Sequence, residues 1–210
     1  MVTAALAHRV PTSLSAATAA PSVSPPPSRS PSASPSPSSA DPPVDTAPGG
    51  HVRAGRKRSD GEAGGVLPDG VTAFDGEYPG ISELDPELLR ALREATTDAS
   101  DDGVEIYVNS GWRSRERQSE LLREAVSKYG SEEEAARWVS TPDTSPHVSG
   151  DAADVGPSDA TTWLSEYGAE YGLCQIYRNE PWHYELRPAA LDDGCPRMYA
   201  DPTRDPRMQQ

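Results

Sequence analysis

The chain has 210 residues, a formal net charge of −14 and only 6% aromatic side chains, with a single Phe. Acidity on this scale argues against nucleic acid as a partner, because phosphate binding needs a basic face. No apolar run approaches the roughly 20 residues of a membrane span, and so few aromatics imply one domain with a modest core.

Half of the 22 prolines fall in the first fifty residues, among Ser, Ala and Thr, as in "PSVSPPPSRSPSASPSPSSADPP". Such a stretch buries almost nothing and loses much entropy on ordering, so residues 1–65 read as a disordered tether. The basic cluster "RAGRKR", from Arg53 to Arg58, belongs to it and reads as a solvated charge run. The opening "MVTAALAHRV" is too short and too weakly apolar for a complete signal peptide and reads as the remnant of a longer one. Ser/Pro-rich stalks follow secretion signals, so the expected location is extracellular or in the cell envelope.

A folded domain is expected over residues 66–197. In "LDPELLRALREATTDA", Asp85 is the N-cap, Pro86 the first helical residue, and Leu88, Leu89 and Leu92 share a face. "VEIYVNS" from Val104 alternates and predicts a strand. "SRERQSELLREAVSKYG" predicts a helix closed by Gly130, and "SEEEAARWV" a shorter one opened by the capping box of Ser131 and Glu134. "AADVG" predicts a short buried strand, and "SDATTWLSEYGAEYG" a further helix. "LCQIY" and "WHYELR" predict two strands joined by a turn at Asn179-Glu180-Pro181. Terminal strands paired as a hairpin argue for an α+β domain, a small antiparallel sheet with helices packed on it. Residues 198–210, rich in Asp, Pro and Arg, read as a loose tail.

The two cysteines, Cys174 and Cys195, have no neighbouring His or Cys and make a poor zinc set, so a disulfide in an oxidising compartment is the favoured reading. Of four histidines, His8 and His51 lie in the tether, which leaves His147 and His183. Asp154 lies inside "AADVG", where its neighbours predict burial, and a buried carboxylate must be paired or hold a metal. Gly150 lets the chain turn so that His147 and Asp154 can converge. Two imidazoles and one carboxylate form a three-ligand set with an open fourth position, the arrangement of catalytic zinc.

The fragments "SGWRSRERQ", "SPHVSGDAADV" and "EPWHYE" resemble, in order, the three motifs of VanY-type D-alanyl-D-alanine carboxypeptidases, related to VanX dipeptidases and phage L-alanyl-D-glutamate endopeptidases. The family pattern is Ser-Gly-Tyr-Arg, then Ser-x-His-x-x-Gly-x-Ala-x-Asp, then Glu-x-x-His; here Trp112 replaces the Tyr. The resemblance implies a Hedgehog/DD-peptidase-like fold and one Zn2+ held by His147, Asp154 and His183. It further implies Glu180 as general base, Arg113 as stabiliser of the developing oxyanion, and Ser145 and Gln118 as substrate contacts. The implied substrates are peptidoglycan stem peptides, with a monomer expected.

Two rivals stay open. On a regular strand Glu185, not Glu180, shares a face with His183, so Glu185 competes as base or as a partner orienting an imidazole. Asp151, which follows a glycine, competes less strongly with Asp154. Trp138 and Trp163 read as helix core, whereas Trp112 and Trp182 flank the motifs and serve either as site wall or as core. Carboxypeptidase, endopeptidase and dipeptidase specificities all fit these motifs, and a non-catalytic zinc-containing module that binds wall peptides is an alternative of another class.

Overall fold

A computed structural model describes residues 60–209; the expected tether, with His8, His51 and the basic cluster, lies outside them. In chain order the structure has α1 (Asp60–Ala63), α2 (Pro79–Ser82), α3 (Pro86–Asp101), β1 (Tyr107–Ser110), α4 (Arg115–Tyr129) and α5 (Glu132–Ala135). It continues with α6 (Pro146–Ser149), β2 (Ala152–Gly156), α7 (Ser158–Tyr167), β3 (Leu173–Gln175), β4 (His183–Leu186) and α8 (Ala190–Asp193). Short 3-10 turns follow α7 and close the chain at Pro202–Arg204 and Pro206–Gln209.

The four strands pair antiparallel in the order β1-β2-β4-β3, as the α+β reading expects. Side chains alternate across a strand, and this alternation gives the sheet two different faces. Val108, Ala153, Val155, Leu173 and Tyr184 point into one core with Leu88, Ala91, Leu92 and Ala95 of α3 and Ala160, Trp163 and Leu164 of α7. Asp85 starts α3 by accepting from the N–H groups of Glu87 and Leu88 at 2.9 and 3.1 Å, with Pro86 in the first turn. Asp154, His183 and Glu185 alternate with those core residues and so project from the opposite face. A second, smaller cluster of Leu121, Ala125, Ala135 and Val139 joins α4 to α5.

Three expectations need correction. The folded part begins before Val66: α1 starts at Asp60, and the Gly64 carbonyl accepts from Ser114 N–H at 3.0 Å. Residues 198–209 are not a loose tail. Tyr199 exchanges backbone hydrogen bonds with Ile176 and Arg178, and Asp201 and Asp205 are buried. Polar residues hold this segment in place, so it carries no hydrophobic periodicity by which to recognise it. Finally, α5 covers only Glu132–Ala135, and the predicted helix from Ser158 stops at Tyr167 before a 3-10 turn.

Cys174 and Cys195 form the expected disulfide, which ties the chain after α8 back to β3. A crosslink separated by 21 residues restricts the unfolded chain, which corresponds to about 3 kcal/mol. Reduction, or the Cys174→Ser/Cys195→Ser double variant, should therefore lower unfolding stability in urea by about that amount. An unchanged midpoint would show that the bridge does not contribute.

Candidate active site

The site is assembled from three segments whose backbones are pinned by contacts of their own, apart from those of the site side chains. β2 lies centrally in the sheet, so Asp154 is flanked in register by Ser110 of β1 and His183 of β4. The loop after β1 is pinned through three successive N–H groups: Trp112 to the Gly80 carbonyl (2.9 Å), Arg113 to that of His147 (3.1 Å) and Ser114 to that of Gly64 (3.0 Å). Gly111 permits this close approach, since a Cβ there would lie 1.9 Å from the Gly80 carbonyl oxygen. His147 sits on the single turn of α6, which opens at Pro146 and ends at Gly150 in a left-handed conformation with φ +84°. The Gly150 carbonyl then accepts from Asp85 N–H at 2.9 Å, anchoring that turn to the cap of α3.

On this frame His147, Asp154 and His183 bring one ligand atom each within 4.8 Å of one another. Asp154 Oδ1 lies 3.4 Å from His147 Nε2 and 3.2 Å from His183 Nδ1. Its second oxygen, Oδ2, accepts from an Arg113 terminal nitrogen at 2.6 Å. The remaining ring nitrogens define the tautomers. His147 Nδ1 lies 2.8 Å from the Gly111 carbonyl, which can only accept, so Nδ1 carries the proton and Nε2 is free to donate a lone pair. His183 Nε2 faces Glu185 Oε1 at 3.2 Å and is protonated for the same reason.

This arrangement separates the two rival glutamates. Glu185 lies behind His183, on the side away from Asp154, whereas Glu180 Oε2 is 3.8 Å from His183 Nδ1 on the side where the ligand atoms converge. The turn at Pro181 gives Glu180 that reach. Glu180 Oε1 is buried with no hydrogen-bond partner, and so is Ser145 Oγ. Both face a cavity of about 310 Å³, which Arg113, Gln118, Trp138, Trp182 and the three clustered residues also line. Asp151 is exposed and accepts from Ser149 Oγ at 2.6 Å, outside the cluster.

The other sequence candidates also find definite places. Gln118 is buried at the cavity wall, accepting from Arg113 at 3.3 Å through Oε1 and donating to the Ser140 carbonyl at 2.8 Å through Nε2. Arg113 additionally donates from Nε to Ser110 Oγ at 2.7 Å. Trp138 stacks on Tyr129 and lines the cavity, Trp163 is core, and Trp182 supplies wall.

The electrostatics couple the clustered groups tightly to one another. Burial opposes ionisation of Asp154, but His147, His183 and Arg113 overcome it and hold the carboxyl well below its usual range. Burial would likewise neutralise His183, yet its hydrogen bonds to Asp154 and Glu185 raise it to about 10. His147 is lowered by burial and by Arg113. Burial pushes Glu180 up to about 8 against the attraction of His183. Two neutralisable nitrogens, a carboxylate oxygen and an orphaned buried glutamate oxygen fit a divalent ion of zinc type, with His147, Asp154 and His183 able to hold it. Residues that the sequence reading missed are Tyr177, Asp205 and Arg207, which surround Glu185 and His183 from behind.

His183 and Glu180 bind their protons more tightly folded than unfolded. Their stabilising contributions are complete below about 6.5 and 4.5 and are lost as pH climbs through about 10 and about 8. His147, Asp154 and Glu185 are shifted the opposite way, so their contributions change only below neutrality. Chelator-treated protein should therefore lose stability between about pH 7 and about pH 9.5 in urea titrations, and Glu180→Gln should flatten the lower part of that fall. Stability that rises across this window would contradict the arrangement of charges.

Comparison with known proteins agrees with the motifs. Residues 81–189 match the family model described as VanY: D-alanyl-D-alanine carboxypeptidase. A D-alanyl-D-alanine carboxypeptidase of Enterococcus faecalis is 30% identical over 126 residues, covering 48% of this chain and 47% of the relative, so the chain spans about half the length of that protein. The LdcB LD-carboxypeptidase superposes with a TM-score of 0.50 at 24% identity, over 63% of this chain and 74% of its own, a likeness of fold. A VanYB structure in complex with D-alanine-D-alanine gives a TM-score of 0.49 at 27% identity, over 53% of this chain and 79% of its own.

Proposed function

The chain belongs to the VanY family of D-alanyl-D-alanine carboxypeptidases, and we propose that it is a zinc-dependent carboxypeptidase that removes the terminal D-alanine from peptidoglycan stem peptides. The observation that carries this reading is the convergence of His147, Asp154 and His183 within 4.8 Å, beside a buried glutamate oxygen with no partner. A purely binding module has no need of such a glutamate. In this reading residues 60–209 form the peptidase domain, which acts on the cell wall as a monomer.

His147 Nε2, Asp154 Oδ1 and His183 Nδ1 would hold the ion, which would supply a Lewis acid able to polarise the scissile carbonyl and acidify water. Glu180 takes a proton at Oε1 from the attacking water and returns it to the amine of the departing D-alanine. Burial raises its pKa above the usual carboxylate range, and a divalent ion beside it would oppose that rise and favour the carboxylate form that a base requires. Arg113 has committed three N–H groups, to Ser110, Gln118 and Asp154. One N–H on each terminal nitrogen remains to meet negative charge growing on the carbonyl oxygen. Gln118 fixes the guanidinium and so acts on substrate through Arg113, while Ser145 Oγ donates to the peptide.

Zinc-loaded protein incubated with a pentapeptide stem ending in D-Ala-D-Ala should release free D-alanine and leave a tetrapeptide. Release of the intact D-Ala-D-Ala dipeptide, or cleavage within the stem, would reassign the activity. Glu180→Gln should lower kcat by about 10²–10⁴-fold while still binding zinc; near-full turnover would remove Glu180 from the mechanism.

A further inference from the structure

We infer that Arg207, in the C-terminal segment beyond the residues matched by the family model, is a positioning residue that holds the His183 imidazole in its metal-binding orientation through Glu185. The inference rests on the zinc-site reading above and extends it to a part of the chain that the three motifs do not include.

The contacts form a closed circuit around one imidazole. His183 Nε2 donates to Glu185 Oε1, 3.2 Å away. The same oxygen accepts from an Arg207 terminal nitrogen at 3.1 Å, and the other terminal nitrogen donates to Oε2 at 2.7 Å, a bidentate pairing. Arg187 also reaches Glu185, but at Oε2, 2.5 Å away, so it leaves the oxygen that faces His183 unsupported. Arg207 Nε contacts both oxygens of Asp205, at 3.1 and 3.0 Å. Asp205, fully buried, accepts from the Tyr177 hydroxyl at 3.0 Å. The Tyr177 ring packs against His183 with centroids 5.1 Å apart, which closes the loop.

Chemistry makes this more than surface pairing. Glu185 is 1% exposed, and a carboxylate so deeply buried is stable as an anion only when cations and donors surround it. Remaining anionic, it fixes the proton on His183 Nε2 and leaves Nδ1 as the ligand atom. Partners that orient a metal-bound imidazole influence metal affinity by about 10–100-fold. The chain is brought into place by the Cys174–Cys195 bridge, since Cys174 lies opposite Glu185 in the β3–β4 register, and by the backbone bonds of Tyr199.

The test compares full-length Arg207→Ala, Arg207→Lys and Arg115→Ala with wild type. Arg115 carries an exposed ion pair with Asp143 and controls for loss of a surface arginine. Zinc affinity is measured by chelator competition, and the His183 Nε2 proton is followed by NMR in metal-free protein. Arg207→Ala should weaken zinc binding by about 10–100-fold and hasten exchange of that proton. Arg207→Lys, which keeps the charge but loses the fork, should fall between Arg207→Ala and wild type, and Arg115→Ala should match wild type. If Arg207→Ala fails to fold, Arg207→Lys and Tyr177→Phe decide, each expected to weaken binding by at least about threefold. Wild-type affinity together with unchanged proton exchange in the folded variants would overturn the inference. Absence of zinc binding by wild type would instead sink the metal reading, and proton exchange would still judge Arg207.

Discussion

A single carboxylate at the centre of the sheet governs this structure. Asp154 is an anion in a nearly closed environment, and its two oxygens divide the work, one facing both imidazoles and the other the Arg113 guanidinium. Removing such a charge from water carries a large desolvation cost, recovered only by opposite charge and donors at short range. The surrounding fold can be understood as the means of bringing those partners to it. The register of β2 with β4 delivers His183, the Gly150 turn delivers His147, and the pinned loop after β1 delivers Arg113.

The same constraint explains why stability and function are coupled here. Without an ion, the proton on His183 and the Arg113 guanidinium balance Asp154, while Arg207 and Arg187 balance Glu185. A divalent ion must displace that proton, which makes metal binding and proton release two sides of one equilibrium. Glu180, whose Oε2 lies 3.8 Å from His183 Nδ1, retains its other oxygen with no internal partner. An orphaned acceptor of this kind destabilises the fold on its own, and in the proposed mechanism it is the oxygen that exchanges a proton with substrate.

Much of this was legible in the sequence, and the reasons differ by element. The cap of Asp85 and Pro86, the alternation in "VEIYVNS" and the small residues around Asp154 are local signals; the helix and the strand of Asp154 form as their patterns predict, and "VEIYVNS" is a strand over Tyr107–Ser110. The three motifs named the clustered residues because ligand chemistry constrains residue type. Local pattern could not decide between Glu180 and Glu185, since that choice depends on which edge of the His183 ring faces Asp154. The C-terminal segment was illegible for a related reason. It is held by Asp205, Arg207 and backbone pairing rather than by an apolar stripe, and in composition polar residues of this kind look the same whether solvated or buried.

In the proposed reading His147, Asp154 and His183 share one divalent ion. Anomalous diffraction at the zinc edge, from crystals of zinc-loaded protein, tests it directly. One strong peak is expected, bounded by His147 Nε2, Asp154 Oδ1 and His183 Nδ1. A peak elsewhere, or none in protein that contains zinc by mass spectrometry, would contradict it.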